Sequence, residues 1–264
     1  GALERRLSVV RKQIEKEDRA EGGGTGGLYV ASLSARTVGY KGRMLARQLR
    51  DFFLDLADPR LASALVVVHQ RYSTNTMPSW RLAQPFRYLA HNGEINTLRG
   101  NLNGMRSRER NMTSDVLGPD VQKLLPVIEP GASDSGCLDN ALELLVAAGR
   151  SLPHAMVMLV PQAWGPAYPM GPDLRGFFEY HAGIMEPWDG PAALAFSDGR
   201  LVGGMVDRNG LRPARYTLTT DGLMVFASEA GALELPADKV AAKGALRPGQ
   251  MILADLASGR VVED

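Results

Sequence analysis

The chain has 264 residues, a formal net charge of +1, 45% hydrophobic and 22% charged residues, and 6% aromatics. That is an ordinary globular composition, long enough for one large domain or two small ones, and the charge gives no reason for nucleic acid or an anionic membrane as partner. A single cysteine excludes an intramolecular disulfide framework and suggests no thiolate metal site. No apolar stretch approaches the roughly 18 residues of a membrane span, and no signal-peptide core follows the charged N-terminus, so a cytoplasmic location is expected.

In chain order, Leu3, Leu7, Val10 and Ile14 recur at helical spacing among Arg5, Arg6, Arg11, Lys12, Glu15, Lys16 and Glu17. This predicts an amphipathic helix of about four turns, whose basic residues, interspersed with acidic ones, form a solvated face and not a nucleic-acid patch. The glycine-rich run at 21–27 reads as a flexible connection, because it lacks the lysine of a phosphate loop. Residues 28–33 and 37–40 read as two short strands. Residues 44–56 carry apolar positions at helical spacing and predict a helix on a core, stopped by Asp58-Pro59. The apolar run 64–68 reads as a short buried strand. After the segment 86–90, a helix is predicted from Glu94 to about Arg108, and residues 111–130 read as an irregular excursion. The loop Gly131-Ala-Ser-Asp134-Ser135 enters a helix with Leu138, Leu142, Leu145 and Val146 on its apolar face. Residues 154–160 are apolar with ambiguous period, 173–181 read as helix, and 187–191 break the chain.

Beyond Ala192 the period changes to that of strands. Residues 192–196 and 201–206 flank Asp198-Gly199, 212–218 and 223–228 flank Thr220-Asp221-Gly222, and 251–255 and 261–262 flank Ser258-Gly259. These are three predicted hairpins. Helices alternating with strands early and hairpins late suit an α+β layout with antiparallel sheets.

The chemistry concentrates in 69–103, where an arginine and a row of hydroxyl and amide side chains adjoin predicted strands. Buried polar groups need partners, and a small polar ligand is one candidate. Read singly, Asn92-Gly93 is a turn, Arg71 a surface arginine, and Ser73, Thr74 and Asn75 a cap. Their order is more specific. His69-Gln70-Arg71-Tyr72-Ser73-Thr74-Asn75-Thr76, Pro78-Ser79-Trp80, Leu82-Ala83-Gln84-Pro85-Phe86-Arg87 and His91-Asn92-Gly93-Glu94-Ile95-Asn96-Thr97 resemble the glutaminase domain of the glutamate synthase large subunit. That domain is a class II glutamine amidotransferase and an N-terminal-nucleophile hydrolase. The resemblance continues through Ser133-Asp134-Ser135 with Leu138-Asp139-Asn140, through 158–164, and through Asp207-Arg208-Asn209-Gly210-Leu211-Arg212-Pro213, leaving out only the first two dozen or so residues.

The resemblance implies a four-layer α-β-β-α sandwich, here incomplete, with residues 1–27 as a helix and connection and 28–264 as the amidotransferase domain without its nucleophile segment. It implies that Arg71 takes the α-carboxylate of L-glutamine, a role suited to a planar fork, that Thr74 lines the same pocket, and that Asp134 meets the α-ammonium; a helix cap is the other reading of Asp134. Asn92, through its side-chain amide, and Gly93, through its backbone N–H, would form the oxyanion hole. His69 and His91 match no base role and are expected to be structural.

The family's nucleophile is an N-terminal cysteine with its own α-amino group as base, whereas this chain begins Gly1-Ala2-Leu3. The resemblance therefore implies truncation, and an isolated chain that is inactive. Cys137 opens a predicted helix; it is either a thiol with a lowered pKa or a small helix residue near the pocket. The resemblance further implies FMN and an iron–sulfur cluster in a separate synthase domain that converts 2-oxoglutarate to glutamate, a small electron-donating subunit, and no metal in these residues. Two other readings stand beside it: a non-catalytic glutamine-binding regulatory module, and a hydrolase in which Cys137 substitutes.

Overall fold

A computed structural model describes residues 1–22, 27–71 and 77–263. In chain order the helices and strands are α1 Ala2–Ala20, α2 Leu49–Phe52, β1 Leu89–Gly93, α3 Leu98–Glu109, α4 Asp134–Ala147, α5 Leu152–Leu159, α6 Pro172–Ala182, β2 Ala192–Ser197, β3 Leu201–Val206, β4 Arg215–Thr219, β5 Met224–Ala227, β6 Val240–Ala245, β7 Met251–Asp255 and β8 Arg260–Glu263. They divide into two compact units, Gly1–Ala90 with Met105–Arg150, and His91–Gly104 with Ser151–Asp264.

In the first unit α1 packs on α4 and on the 3-10 turn Gly118–Leu124. The face it buries is not the one its apolar spacing predicts. Leu3, Val10 and Ile14 are exposed, while Ser8, Val9, Arg11, Lys12 and Glu15 are buried. The reason is charge pairing over long sequence separations. Arg11 donates to Glu15 at 2.6 Å and to Glu143 of α4, Lys12 donates to Glu129 at 3.1 Å and to the Val127 carbonyl at 2.9 Å, and Arg87 donates to Glu15 at 2.8 Å. Buried charges are tolerated only when paired in this way. Burial opposes the Arg11 charge, but Glu143 and Glu15 hold it on more firmly than usual. Glu15 is pushed up, chiefly by burial. Burial would raise Glu129 too, yet Lys12 and Arg87 bring it down to about 2.

Three expectations in this unit are corrected. Residues 28–33 and 37–40 are not strands; they are held by side chains, Glu15 accepting the Val30 N–H at 2.9 Å and Ser32 Oγ the Gly39 N–H at 2.9 Å. Residues 44–56 form short pieces, the 3-10 turns Ala46–Gln48 and Leu54–Ala57 around α2, with Phe52 and Leu54 exposed. The run 64–68 has no strand assignment, and Val66 and Val68 are 74% and 77% exposed. Apolar composition alone does not make a strand; a hydrogen-bonded neighbour does, and this run has none among the described residues. Of the glycine-rich connection, residues 23–26 lie outside the described residues.

The second unit is built on antiparallel sheets, as the late hairpins predict. Strand order is β1-β2-β3-β7-β8 in one sheet and β5-β4-β6 in the other. The β2–β3 hairpin pairs Ala195 with Gly204, and β3 pairs Gly204 with Ile252 of β7. Side-chain alternation sends Leu194 and Phe196 of β2 into the core. The Phe226 ring of β5 fills the space beside Gly204, where a Cβ would come within 2.2 Å of it, so the two sheets face each other there. Strand β6 is an addition to the predicted set: its sequence, Val-Ala-Ala-Lys-Gly-Ala, has little β propensity, and pairing with β4 creates it. Residues 154–160 resolve into helix α5, and the helix predicted from Glu94 begins at Leu98.

Candidate functional site

Strand β1 carries two of the predicted residues. Leu89, Ala90 and His91 are buried, whereas Asn92 is exposed at the strand end and Gly93 is half-buried. The backbone leaves Gly93 with φ +156° and runs against 189–192. A Cβ on Gly93 would lie 1.8 Å from the Pro191 carbonyl oxygen, and one on Gly190 would lie 1.9 Å from the Glu94 oxygen. Only two glycines allow this approach. The contact is sealed by Glu94 N–H donating to the Pro191 oxygen at 2.9 Å and Asn96 N–H to the Asp189 oxygen at 2.7 Å. Thr97 Oγ1 accepts the Asp189 N–H at 2.9 Å, and Asn101 Nδ2 reaches the Pro187 oxygen at 3.0 Å. Asn92 and Gly93 thus sit on a backbone turn braced from one side by a second backbone segment. Its sequence, Asp189-Gly-Pro-Ala192, reads only as a chain break, so composition does not find it.

The other predicted residues belong to the first unit. Arg71 is exposed, and its backbone N–H donates to His69 Nδ1 at 3.2 Å. Thr74 lies outside the described residues. Asp134 is the first residue of α4, but the helix is capped by Ser133, whose Oγ accepts the Gly136 N–H at 3.2 Å. The cap reading therefore passes from Asp134 to Ser133. The Asp134 carboxylate accepts from Ser135 Oγ at 3.2 Å and stands at the positive end of the helix dipole.

Cys137 follows in the same turn and is 3% exposed. Burial first, and then Asp134, push its thiol up to about 12. The helix terminus does not overcome these two effects, so Cys137 rests as a thiol at neutral pH. A cleft of this unit runs between Tyr29, Arg81, Phe86, Arg87, Glu129 and Asn140, and among the described residues none of the predicted site residues lines it. Among the described residues, no group of three or more His, Cys, Asp or Glu could hold a metal ion, and no helix is long and apolar enough to cross a membrane. One cysteine cannot supply the thiolate set of an iron–sulfur cluster.

Against known proteins, the family model for class-II glutamine amidotransferases matches residues 1–264. The chain belongs to this family. Among class-II amidotransferase relatives, it is 48% identical over 263 residues to the glutamate synthase (NADPH) large chain of Bacillus subtilis (strain 168), covering 100% of this chain and 17% of that protein. It is 50% identical over 258 residues to the glutamate synthase (NADPH) large chain of Azospirillum brasilense, covering 98% and 17%. The ferredoxin-dependent glutamate synthase 2 of Synechocystis sp. is 47% identical over 265 residues, covering 99% and 17%. The chain thus spans 17% of the length of each of these relatives. A solved structure of glutamine phosphoribosylpyrophosphate amidotransferase from B. subtilis matches 74% of this chain and 33% of its own, with 19% identity and a TM-score of 0.39.

Proposed function

We propose that these residues are the glutamine-binding, ammonia-releasing part of a glutamate synthase large subunit, in the four-layer sandwich of N-terminal-nucleophile hydrolases. The observation that carries this reading is near-half identity to glutamate synthase large chains over essentially the whole chain. Glutamine and water become glutamate and ammonia. Arg71 takes the substrate α-carboxylate, Thr74 lines its pocket and Asp134 receives the α-ammonium, which together place the side-chain amide. Attack on that amide creates a tetrahedral oxyanion, and donors aimed at it supply the largest stabilisation. The Asn92 amide and the Gly93 N–H are those donors.

This reading does not give the attack to Cys137, because its thiol is buried and raised. The reading therefore places the nucleophilic cysteine, with its α-amino base, in polypeptide beyond these 264 residues. The ammonia passes to a synthase domain that turns 2-oxoglutarate into glutamate with FMN and an iron–sulfur cluster, fed by a small electron-donating subunit. The compartment proposed is the cytoplasm.

The buried Cys137 also leaves room for a second reading, a regulatory module that binds glutamine without hydrolysing it. Intact mass and terminal sequencing of the natural gene product separate the two. A longer chain opening with cysteine supports the glutaminase; a natural start at Gly1 supports the module. In the first case Asn92→Ala lowers glutaminase kcat by about 10²–10³.

A further inference from the structure

The motif Asp207-Arg208-Asn209-Gly210-Leu211-Arg212 has no role in the chemistry above, yet its first residue is among the most buried polar groups of the second unit, at 1% exposure. Asp207 follows β3 and grips one residue from both sides. Its backbone N–H donates to the Ala192 oxygen at 2.9 Å, and its Oδ2 accepts the Ala192 N–H at 2.9 Å. The same carboxylate folds its own loop around itself, accepting from the N–H groups of Asn209 at 3.0 Å, Leu211 at 3.1 Å and Arg212 at 3.3 Å. Its carbonyl accepts the N–H groups of Gly210 and Gly249, both at 2.9 Å. Next to it, the Arg208 guanidinium pairs with the Asp189 carboxylate.

The loop thus holds 189–192 at both ends, Asp189 by Arg208 and Ala192 by Asp207. Between those ends lie Gly190 and Pro191, the two residues whose backbone touches Gly93 and Glu94 directly. No side chain cushions that contact, because a Cβ fits at neither glycine. A shift of 189–192 is therefore a shift of the turn that carries Asn92 and Gly93, and close-packed backbone does not absorb it elsewhere.

We propose that Asp207, supported by Arg208, is a positioning residue for glutamine hydrolysis: through 189–192 it fixes where the Asn92 and Gly93 donors point. The proposal rests on the oxyanion role given to Asn92 and Gly93 above. Oxyanion donors are sensitive to displacements of about 1 Å, which can cost about 100-fold in rate.

The test is a double-mutant cycle on glutaminase turnover in the complete natural gene product, using Asp207→Asn, Arg208→Gln and Asn92→Ala. Asp207→Asn is expected to lower kcat by about 10- to 100-fold with little change in the KM for glutamine. In the Asn92→Ala background the same substitution costs no more than about twofold, because the donor it positions is gone. Should Asp207→Asn fail to fold, Arg208→Gln carries the test alone, with a kcat loss of about threefold that Arg208→Lys restores and Asn92→Ala abolishes. Losses that multiply fully with Asn92→Ala, or that appear only in KM, would make the loop a general tie and overturn the proposal. A large effect of Asn92→Ala with none from the loop variants overturns the positioning role and leaves the oxyanion assignment intact. No effect of Asn92→Ala on kcat overturns the assignment itself, and the positioning role with it.

Discussion

Each unit contains a carboxylate at 1% exposure that gathers backbone N–H groups, and the two are satisfied in different ways. Asp139 of α4 accepts from the N–H groups of Arg87 at 3.2 Å, Tyr88 at 2.8 Å and Leu89 at 3.1 Å, fixing the entry to β1. Asp207 does the same for Ala192 and its own loop. Asp139, however, sits among other charges. Burial and then Glu143 push its carboxyl up to about 6, against Arg87 and the N–H donors. Around α1 and α4 the first unit therefore holds a network in which Arg11, Lys12, Glu15, Glu129 and Glu143 depend on one another. The second unit's tie is made largely of peptide groups and glycine-permitted contact. Loss of a charge should break the first kind, and addition of a methyl group the second.

The largest effect is expected from that methyl. Gly190→Ala places a Cβ 1.9 Å from the Glu94 oxygen at φ +150°, a backbone clash that no rotamer relieves. A loss of about 4 kcal/mol or more, or failure to fold, should follow. Hydrogen exchange of the β2 amides reads it, and near-native protection would show that the backbone approach is looser than the geometry implies. Arg11→Met comes next. It strips Glu15 and Glu143 of a shared buried partner, and breaking such a pair costs about 3–5 kcal/mol. Exchange protection in α1 and α4 is the measurement, and a loss below about 1 kcal/mol would mean the network is solvated.

Acid should distinguish the units further. Glu129 is held at about 2 in the folded protein against its ordinary 4.5. As pH falls the unfolded chain takes up the proton first, so the stabilisation from Glu129 is complete above about 4.5 and disappears as pH drops through about 2. Glu129→Gln should flatten that part of the acid profile for the amides of α1. An unchanged slope would place the acid sensitivity on other carboxylates.

The same contrast explains what was legible in the sequence. The hairpins of the second unit were, because Asp198-Gly199 and Thr220-Asp221-Gly222 announce turns between alternating strands. So was α4, from the spacing of Leu138, Leu142 and Leu145, although its cap is Ser133 and not Asp134. Apolar spacing in α1 points to the wrong buried face, since periodicity registers hydrophobicity and not the carboxylates at 129 and 143 that draw Arg11 and Lys12 inward. The run 64–68 is apolar enough for a strand but has no described neighbour to pair with. For the proposed oxyanion hole, Asn92 and Gly93 rest on a family resemblance in the order of motifs and not on any local signal. The segment that braces them was invisible, because Asp-Gly-Pro is also what an ordinary loop looks like.

The smallest expected effect concerns Cys137, which tests whether burial or the helix terminus governs a thiol in the first unit. In the first turn of α4 a thiolate would gain from the helix dipole, by about 0.3–1 kcal/mol at an exposed site. Burial and the neighbouring Asp134 oppose it and prevail, pushing the thiol up to about 12. Cys137 in the folded protein should therefore resist iodoacetamide across pH 7–9 and react only as the unit opens, in step with the exchange of α4 amides. Cys137→Ala should cost about 1 kcal/mol from the lost sulfur contacts and leave glutaminase kcat unchanged. Labelling at the rate of a free thiol in the native state would mean that α4 hosts an uncompensated anion. Burial would then fail to hold the proton on the sulfur, and the thiol would return as a candidate nucleophile.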